Sequence, residues 1–449
     1  MMFSRKTLSP ARVMVLGFLA LILVGTVLLM LPISSRSGTP LPFMDALFTS
    51  TSATCITGLA VADTAQTWSL FGQMVILCLI QIGGLGFMSI TTIFFFIMNK
   101  NIGLSQRLLI MNSLNLKDMQ GVVRLIRHVL AGTFLFEGVG TLVLWSRFAP
   151  EYGLWKGLGM GVFHSVSAFC NAGFDLMGTN EALSSLTSYA GDAVVSVTVL
   201  LLVFIGGLGF FVWEDIWRNR RFRKLHLHSK LVLTVSLGLV VSGWIFFYIA
   251  ERTNPGTIGS MPFPDAALAS LFQSVTTRSG GLCTVNQVSL TGASILMTMV
   301  LMLIGGSPGS TAGGIKNVTA GILFLSALNS LRGKNRLSVF GRTVPAPQIV
   351  GALSILLVVL TAILAGSSAI ALIQPDLPFS AVLFETISAI ATCGLSLGIT
   401  SSLGSASMAI IILFMFFGRV GIITLGMAAF RNRTGTEKTK YPDTWIMMG

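Results

Sequence analysis

The chain has 449 residues, of which 53% are hydrophobic and only 10% charged, and its formal net charge is +13. A soluble domain carries about a quarter charged residues, so a soluble enzyme or soluble binding module is a poor fit, and a helical membrane protein is the expectation. The bases gather in a few segments between apolar runs, a pattern that membrane topology explains better than nucleic acid does.

The first apolar run, VMVLGFLALILVGTVLLMLPI (13–33), exceeds the roughly 20 residues needed to cross the hydrocarbon core. Arg5, Lys6 and Arg12 precede it, but its length and the lack of a small-x-small cleavage site read as a retained helix, not a signal peptide. A second such run is VSVTVLLLVFIGGLGFFVW (195–213). Basic clusters lie at the N-terminus, over 100–127, in RNRRFRKLHLHSK (218–230), in RGKNR (332–336) with Arg342, and in the tail over 431–440. The positive-inside rule puts all five in the cytoplasm and the acids between them, Asp63, Glu151, Asp175, Glu181, Asp192, Glu251, Asp265 and Asp376, outside. Cys55, Cys78, Cys170, Cys283 and Cys393 form no CxxC pair, and the histidines are scattered, so neither a disulfide framework nor a metal centre is expected.

One segment is repeated along the chain. FTSTSATCITGL (48–59) is echoed by FHSVSAFCNAGF (163–174), by the shorter FQSVTTRSGGL (272–282) and by FETISAIATCGL (384–395). Each has Phe, then Ser or Thr four residues on, then Gly before a hydrophobic residue. Gly58, Gly173, Gly281 and Gly394 are 115, 108 and 113 residues apart. A second landmark keeps the period: LIQIGGLGFM (79–88), VFIGGLGFFV (203–212), MLIGGSPGST (302–311) and FFGRVGIITL (416–425). The expected unit is a membrane-length run, a short apolar segment ending at the Gly, and a second membrane-length run. The expected repeats are 1–118, 119–228, 229–343 (with its second helix broken) and 344–449 with a cytoplasmic tail.

The short segments, LPFMDALFTSTSA (41–53), GLWKGLGMGVFHSVSAF (153–169), MPFPDAALASLFQSV (261–275) and LPFSAVLFETISAI (377–390), are too short to span. They suit re-entrant half-helices, whose non-helical ends are tolerated in a membrane only where protein buries them or they line a watery cavity. The expected fold is therefore an all-α polytopic membrane protein of four membrane, pore-loop, membrane repeats around one pore, about eight transmembrane helices plus four re-entrant helices. Rings of backbone carbonyls can replace a cation's hydration shell, glycine lets neighbouring carbonyls turn the same way, and the half-helix C-termini favour a cation. The expected ligands are the carbonyls of Cys55, Ile56, Thr57 and Gly58, of Cys170, Asn171, Ala172 and Gly173, of Arg278, Ser279, Gly280 and Gly281, and of Ala391, Thr392, Cys393 and Gly394.

A pore unit used four times in one chain, with a single glycine per unit, resembles the Trk/Ktr/HKT superfamily of K⁺ transporters, and the chain's length and first helix are most similar to its KtrB-type membrane subunits. In that superfamily glycine in all four repeats goes with K⁺ and serine in the first with Na⁺, so Gly58 implies K⁺ as the transported ion. A need for Na⁺ is left open by the residues. The non-Thr residues before Gly173 and Gly394, with the short third repeat, imply a filter that is not four-fold symmetric in detail.

GGSPGSTAGG, which comprises Gly305, Gly306, Ser307, Pro308, Gly309, Ser310, Thr311, Ala312, Gly313 and Gly314, should break its helix, because glycine costs about 1 and proline about 3 kcal/mol inside one. It is no phosphate loop, since Asn317 follows Lys316. Packing through small residues at a kinked helix is the plain alternative; in the superfamily such a loop acts as a gate below the filter. Arg419 lies in an apolar run, where an arginine costs roughly 2.5 to 3.5 kcal/mol. A salt bridge to Glu137 would explain it structurally, while the resemblance implies an electrostatic barrier in the pore. The resemblance also implies a homodimer in the bacterial cytoplasmic membrane with both termini inside, and a cytosolic KtrA-like RCK ring that carries the nucleotide. The C-terminal YPDTWIMMG could return to the partner chain. An alternating-access cation carrier and a membrane-embedded enzyme are the competing classes; the latter lacks convergent nucleophiles or metal ligands.

Overall fold

A computed structural model of the chain describes residues 10–86, 122–178, 183–334 and 336–421, with side chains from 12 onward in the first helix and from 127 onward in the helix that starts at 122. Glu181, the basic residues over 100–121, the tail over 431–440 and the terminal YPDTWIMMG lie outside the described residues. The described residues are helical apart from their connections and a small hairpin that pairs Ser338 with Thr343 and Val339 with Arg342.

The helices of ten residues or more follow in four successive groups. They are α1 (Pro10–Met30), α2 (Phe43–Thr54) and α3 (Leu70–Leu85); α4 (Val122–Tyr152), α5 (Leu154–Phe169), α6 (Ala193–Gly207) and α7 (Phe210–Asn219); α8 (Leu227–Glu251), α9 (Phe263–Thr276), α10 (Gly292–Leu303) and α11 (Asn317–Leu331); and α12 (Ala346–Ile373), α13 (Phe379–Ala391) and α14 (Ser405–Val420). The leading helices α1, α4, α8 and α12 are each long and apolar enough to cross a membrane. The second helix of each group, of 12 to 16 residues, is too short alone. Pro42, Pro262 and Pro378 precede three of these short helices, where a fixed φ and a missing amide hydrogen cost a helix start nothing.

A hydroxyl fastens the short helix to the leading one. Ser50 Oγ donates to Ile22 O, Ser165 Oγ to Glu137 O and Ser274 Oγ to Val240 O, each at 2.7 Å. Glycines on the leading helices admit these hydroxyls, since a Cβ at Gly140 would stand 2.5 Å from Ser165 Oγ, and Gly25 and Gly243 face Ser50 and Ser274 in the same way. The fourth group differs: Thr386 Oγ1 donates within its own helix, to Val382 O at 2.7 Å, and Gly366 receives the Phe414 ring instead. The two largest apolar clusters among the described residues lie around α2, α3, α5 and α6 (Phe169, Ile80, Val199) and around α13 and α14 (Phe384, Ile411, Met415).

The second run of each group is not the continuous membrane-length helix expected from the sequence. α3 ends at Leu85 before Gly86 (φ 80°), and α14 at Val420 before Gly421 (φ 87°). α6 ends at Gly207, and α7 leaves it at 94° after Gly209, whose φ is 91°. The third run breaks between α10 and α11, as its glycines and proline predict. Left-handed φ is open to glycine and not to most residues, so one glycine suffices to stop a helix that its apolar neighbours would continue.

The first glycine of the second landmark serves packing. A Cβ at Gly83, Gly206 or Gly418 would collide with the carbonyl oxygen of Thr54, Phe169 or Ile390, at the end of the short helix of the same group. Gly206→Ala is expected to destabilise the protein by about 1–3 kcal/mol, the usual range for overpacking. Thermal unfolding in detergent, followed by size exclusion, should show a lower midpoint. Gly207→Ala, whose Cβ would meet nothing within 4 Å, is the control, and equal midpoints for the two would contradict the close approach.

Candidate ion pathway

Each short helix runs directly into one of the predicted carbonyl loops. Cys55 and Cys170 cap α2 and α5, Thr277 caps α9, Ala391 is the last residue of α13, and Thr392 caps it. The backbone then alternates in hand. Ile56, Asn171, Ser279 and Thr392, each two residues before its glycine, have φ of 52°, 56°, 70° and 47°. Gly58, Gly173, Gly281 and Gly394 have φ of 92°, 72°, 73° and 92°. Positive φ is uncommon outside glycine and worst for β-branched residues, so Ile56 and Thr392 are held there against their preference.

The amides show what holds them. Ile56 N donates to Ala53 O at 3.1 Å, Thr57 N to Ser52 O at 2.8 Å and Gly58 N to Ser52 Oγ at 3.1 Å. In the fourth loop Thr392 N donates to Ala389 O at 3.1 Å, Cys393 N to Ser388 O at 2.9 Å and Gly394 N to Ser388 Oγ at 3.1 Å. The second and third loops use Ala172 N to Ser167 O (2.8 Å) and Gly280 N to Thr276 O (2.7 Å), while the hydroxyls of Ser167 and Thr276 donate forward to Phe174 O and Leu282 O. Alternating hand sends amide hydrogens to one side and carbonyls to the other. With the amides bound to the short helices, the carbonyls face away from them.

The four glycines meet. A Cβ at Gly58 would lie 2.6 Å from Ala172 O and 2.9 Å from Gly173 Cα; at Gly173, 2.9 Å from Gly281 Cα; at Gly281, 2.7 Å from Cys393 O; and at Gly394, 3.0 Å from Gly58 Cα. The ring closes in chain order. On one side it lines a cavity of about 480 Å³, whose wall also holds Asp63, Asp175, Ser396 and Thr400. Thr57 and Thr392 each bury a hydroxyl oxygen with no hydrogen-bond partner among the described residues. The short-helix C-termini bring partial negative charge to the ring, so a cation is the species the geometry favours.

The Gly305 to Gly314 loop lies against the loops of the ring. Its neck is pinched by Gly305 N donating to Ile315 O (2.9 Å) and Ile315 N to Leu303 O (3.2 Å). Asn171 Nδ2 donates to Thr311 Oγ1 at 2.6 Å, and Gly313 packs so closely on Thr392 and Ala391 that a Cβ would strike the Thr392 hydroxyl. Ser307 Oγ donates to Gly207 O at 2.7 Å, and Phe210 N to Gly309 O at 2.9 Å. Arg419, from α14, donates to Thr311 O at 2.6 Å, to Gly84 O at 3.2 Å and to Gly83 O. Glu137, the alternative partner considered for it, instead accepts from Gln81 Nε2 at 3.1 Å. Arg419 therefore joins the fourth group to the first and to this loop.

A family model described as "TrkH: Cation transport protein" matches residues 9–433. The chain belongs to the TrkH family. It is thus a multi-pass membrane transport protein and not an enzyme. It is 40% identical to the potassium/sodium uptake protein NtpJ of Enterococcus hirae, over 99% of this chain and 98% of that one. Identity is also 40% with Ktr system potassium uptake protein B of Bacillus subtilis, over 98% and 97% of the two chains. The crystal structure of the potassium transporter TrkH from Vibrio parahaemolyticus superposes with a TM-score of 0.73 at 15% identity, over 96% of this chain and 87% of that one. That likeness concerns the fold.

In this TrkH-family chain the four predicted glycines come together, with the carbonyl oxygens of Thr57, Ala172 and Cys393 beside them, whereas the Arg278 side chain turns away to Ser236. Sequence reasoning assigned no role to Ser52, Ser167, Thr276 and Ser388, although their place four residues after each Phe was visible. It also missed Lys316, whose Nζ donates to Ala312 O at 2.7 Å, and Asn171 as a side-chain donor to the broken-helix loop. Replacing Ser388 by Ala leaves the Gly394 amide without its acceptor, at an expected cost of about 1–3 kcal/mol. Thermal unfolding should detect the loss, against a change within about 0.5 kcal/mol for Ala at the exposed Ser380; equal effects would contradict the clamp.

Proposed function

We propose that the chain carries K⁺ into the cell through the ring formed by Gly58, Gly173, Gly281 and Gly394, with the carbonyls of the four preceding segments as its ligands. The observation that carries this reading is the meeting of four sequence-distant glycines, each behind a short-helix C-terminus, with the amides before them bound back to the short helices. The names of the relatives, potassium uptake and potassium/sodium uptake proteins, support K⁺ as the ion. On this reading the chain divides into four repeats at 118, 228 and 343, and K⁺ is the transported substrate.

The Gly305 to Gly314 loop and Arg419 form the gate. Arg419 supports this by placing a guanidinium on the loop and on the end of α3 at once, where a fixed positive charge opposes cation passage. Opening requires the loop to give up its bonds to Gly207 and Arg419. A homodimer in the bacterial cytoplasmic membrane, with termini and basic segments inside, would present those segments to a cytosolic nucleotide-binding RCK ring; the Ktr system name of a relative fits such a regulatory partner.

The test is ⁸⁶Rb⁺ uptake and growth at low K⁺ in a bacterium without its own K⁺ uptake, with a ring subunit co-expressed. Wild type should rescue growth, Gly58→Ser should lose rescue or shift uptake toward Na⁺, and Arg419→Ala should raise the flux. Rescue untouched by Gly58→Ser would refute the filter. A pH effect follows from the vestibule. Enclosure pushes the Asp175 carboxyl up to about 6, with the Asp63 charge adding to the rise. As external pH falls through that value the mouth loses a negative charge, so uptake at low ion concentration should fall between pH 7.5 and 5. Asp175→Asn should be slower at pH 7.5 and flat across this window; a wild-type slope retained in Asp175→Asn would contradict the assignment.

A further inference from the structure

Arg278 is the one charged residue at its position among the four loops, standing where the others have Cys55, Cys170 and Ala391, three residues before the glycine. It is 7% exposed. Nη2 donates to Ser236 Oγ at 3.1 Å and Nη1 to Ser236 O at 3.3 Å, both on α8. Nε has no partner among the described residues, and no ion pair there includes it. A guanidinium without a carboxylate at this depth is costly, and the C-terminus of α9 just before it offsets only part of that cost.

The Ser236 hydroxyl has a second partner. Asn317 Nδ2 donates to it at 2.8 Å, and Asn317 N donates to Gly306 O at 3.0 Å. Asn317 is the first residue of α11 and closes the broken-helix loop. It is fully buried, and its Oδ1 is as unpartnered as Arg278 Nε. A void of about 10 Å³, lined by Ser236, Arg278, Gly207 and Gly306 among others, adjoins the cluster.

We propose that Arg278 is a positioning residue for ion selection, tying the third carbonyl loop through Ser236 to Asn317 and so to the Gly305 to Gly314 loop. The inference rests on the filter and gate reading above. Buried polar atoms deprived of partners are expensive, and this cluster already has two. If Asn317 moves when the loop opens, Ser236 and Arg278 must follow or leave further atoms unpaired. The move reaches Ser279 to Gly281 because Arg278 precedes them directly. The second and fourth loops touch the Gly305 to Gly314 loop directly, through Asn171 and through Ala391 and Thr392, and Arg278 adds a charged link from the third.

The full chain in proteoliposomes tests this, with ⁸⁶Rb⁺ and ²²Na⁺ uptake measured for Arg278→Lys, Ser236→Ala, Asn317→Ala and their pairs. Arg278→Lys and Asn317→Ala should each lower the Rb⁺:Na⁺ uptake ratio at least threefold, and the double variant no more than the larger single change. Independent sites would multiply their effects, and that outcome, or a ratio unchanged in every variant, overturns the coupling. Where Arg278→Lys does not fold, the Ser236→Ala and Asn317→Ala pair gives the same cycle with the arginine in place. Selective wild-type uptake with multiplying effects removes this inference alone. Unselective wild-type uptake removes the filter reading and this inference with it.

Discussion

The arrangement depends on where four short stretches of backbone spend their amide hydrogens. In the first and fourth loops the donors return to one residue, Ser52 or Ser388, through both its carbonyl and its hydroxyl. That residue thereby fixes a left-handed Ile56 or Thr392, which neither side chain favours. It also leaves most of the carbonyls as the unspent polar groups, the Ala391 carbonyl alone among the proposed ligands accepting from a side chain, Ser279 Oγ at 3.3 Å. In a low-dielectric interior an unspent carbonyl is a liability unless something polar comes to it, and a cation dehydrated at this ring would meet that need.

The remaining helices serve to keep the four stretches together. Landmark glycines let α3, α6 and α14 approach the ends of the short helices at backbone distance, and glycines on α1, α4 and α8 admit the short-helix serines. In the third group the same landmark is spent on the loop itself, where Gly305 packs on Gly313. The loop can then reach α6 through Ser307 and Arg419 through Thr311. The break in symmetry and the contact below the ring therefore have a common origin.

Much of this was legible in the sequence. The four-fold echo located every short helix to within a few residues, because its Phe, hydroxyl and glycine each have a separate job at the helix end. The break over the Gly305 to Gly314 loop followed from proline and glycine density. What was not legible depends on single residues meeting across the fold. Gly86, Gly209 and Gly421 stop helices that composition alone would continue. Arg278 was expected as part of the ring by position, but its side chain found Ser236, 42 residues earlier. Arg419 and Glu137 looked like partners because both are charges in apolar runs, yet each satisfies itself on neutral groups, Arg419 on backbone carbonyls and Glu137 on Gln81.

The most direct measurement is the position of a heavy alkali ion. The protein would be crystallised with Rb⁺ in place of K⁺ and the anomalous signal located. The account predicts a peak on the axis of the ring, between the carbonyls of Thr57, Ala172, Gly280 and Cys393. A peak found only out in the vestibule beside Asp63 and Asp175, or away from the four loops altogether, would contradict it.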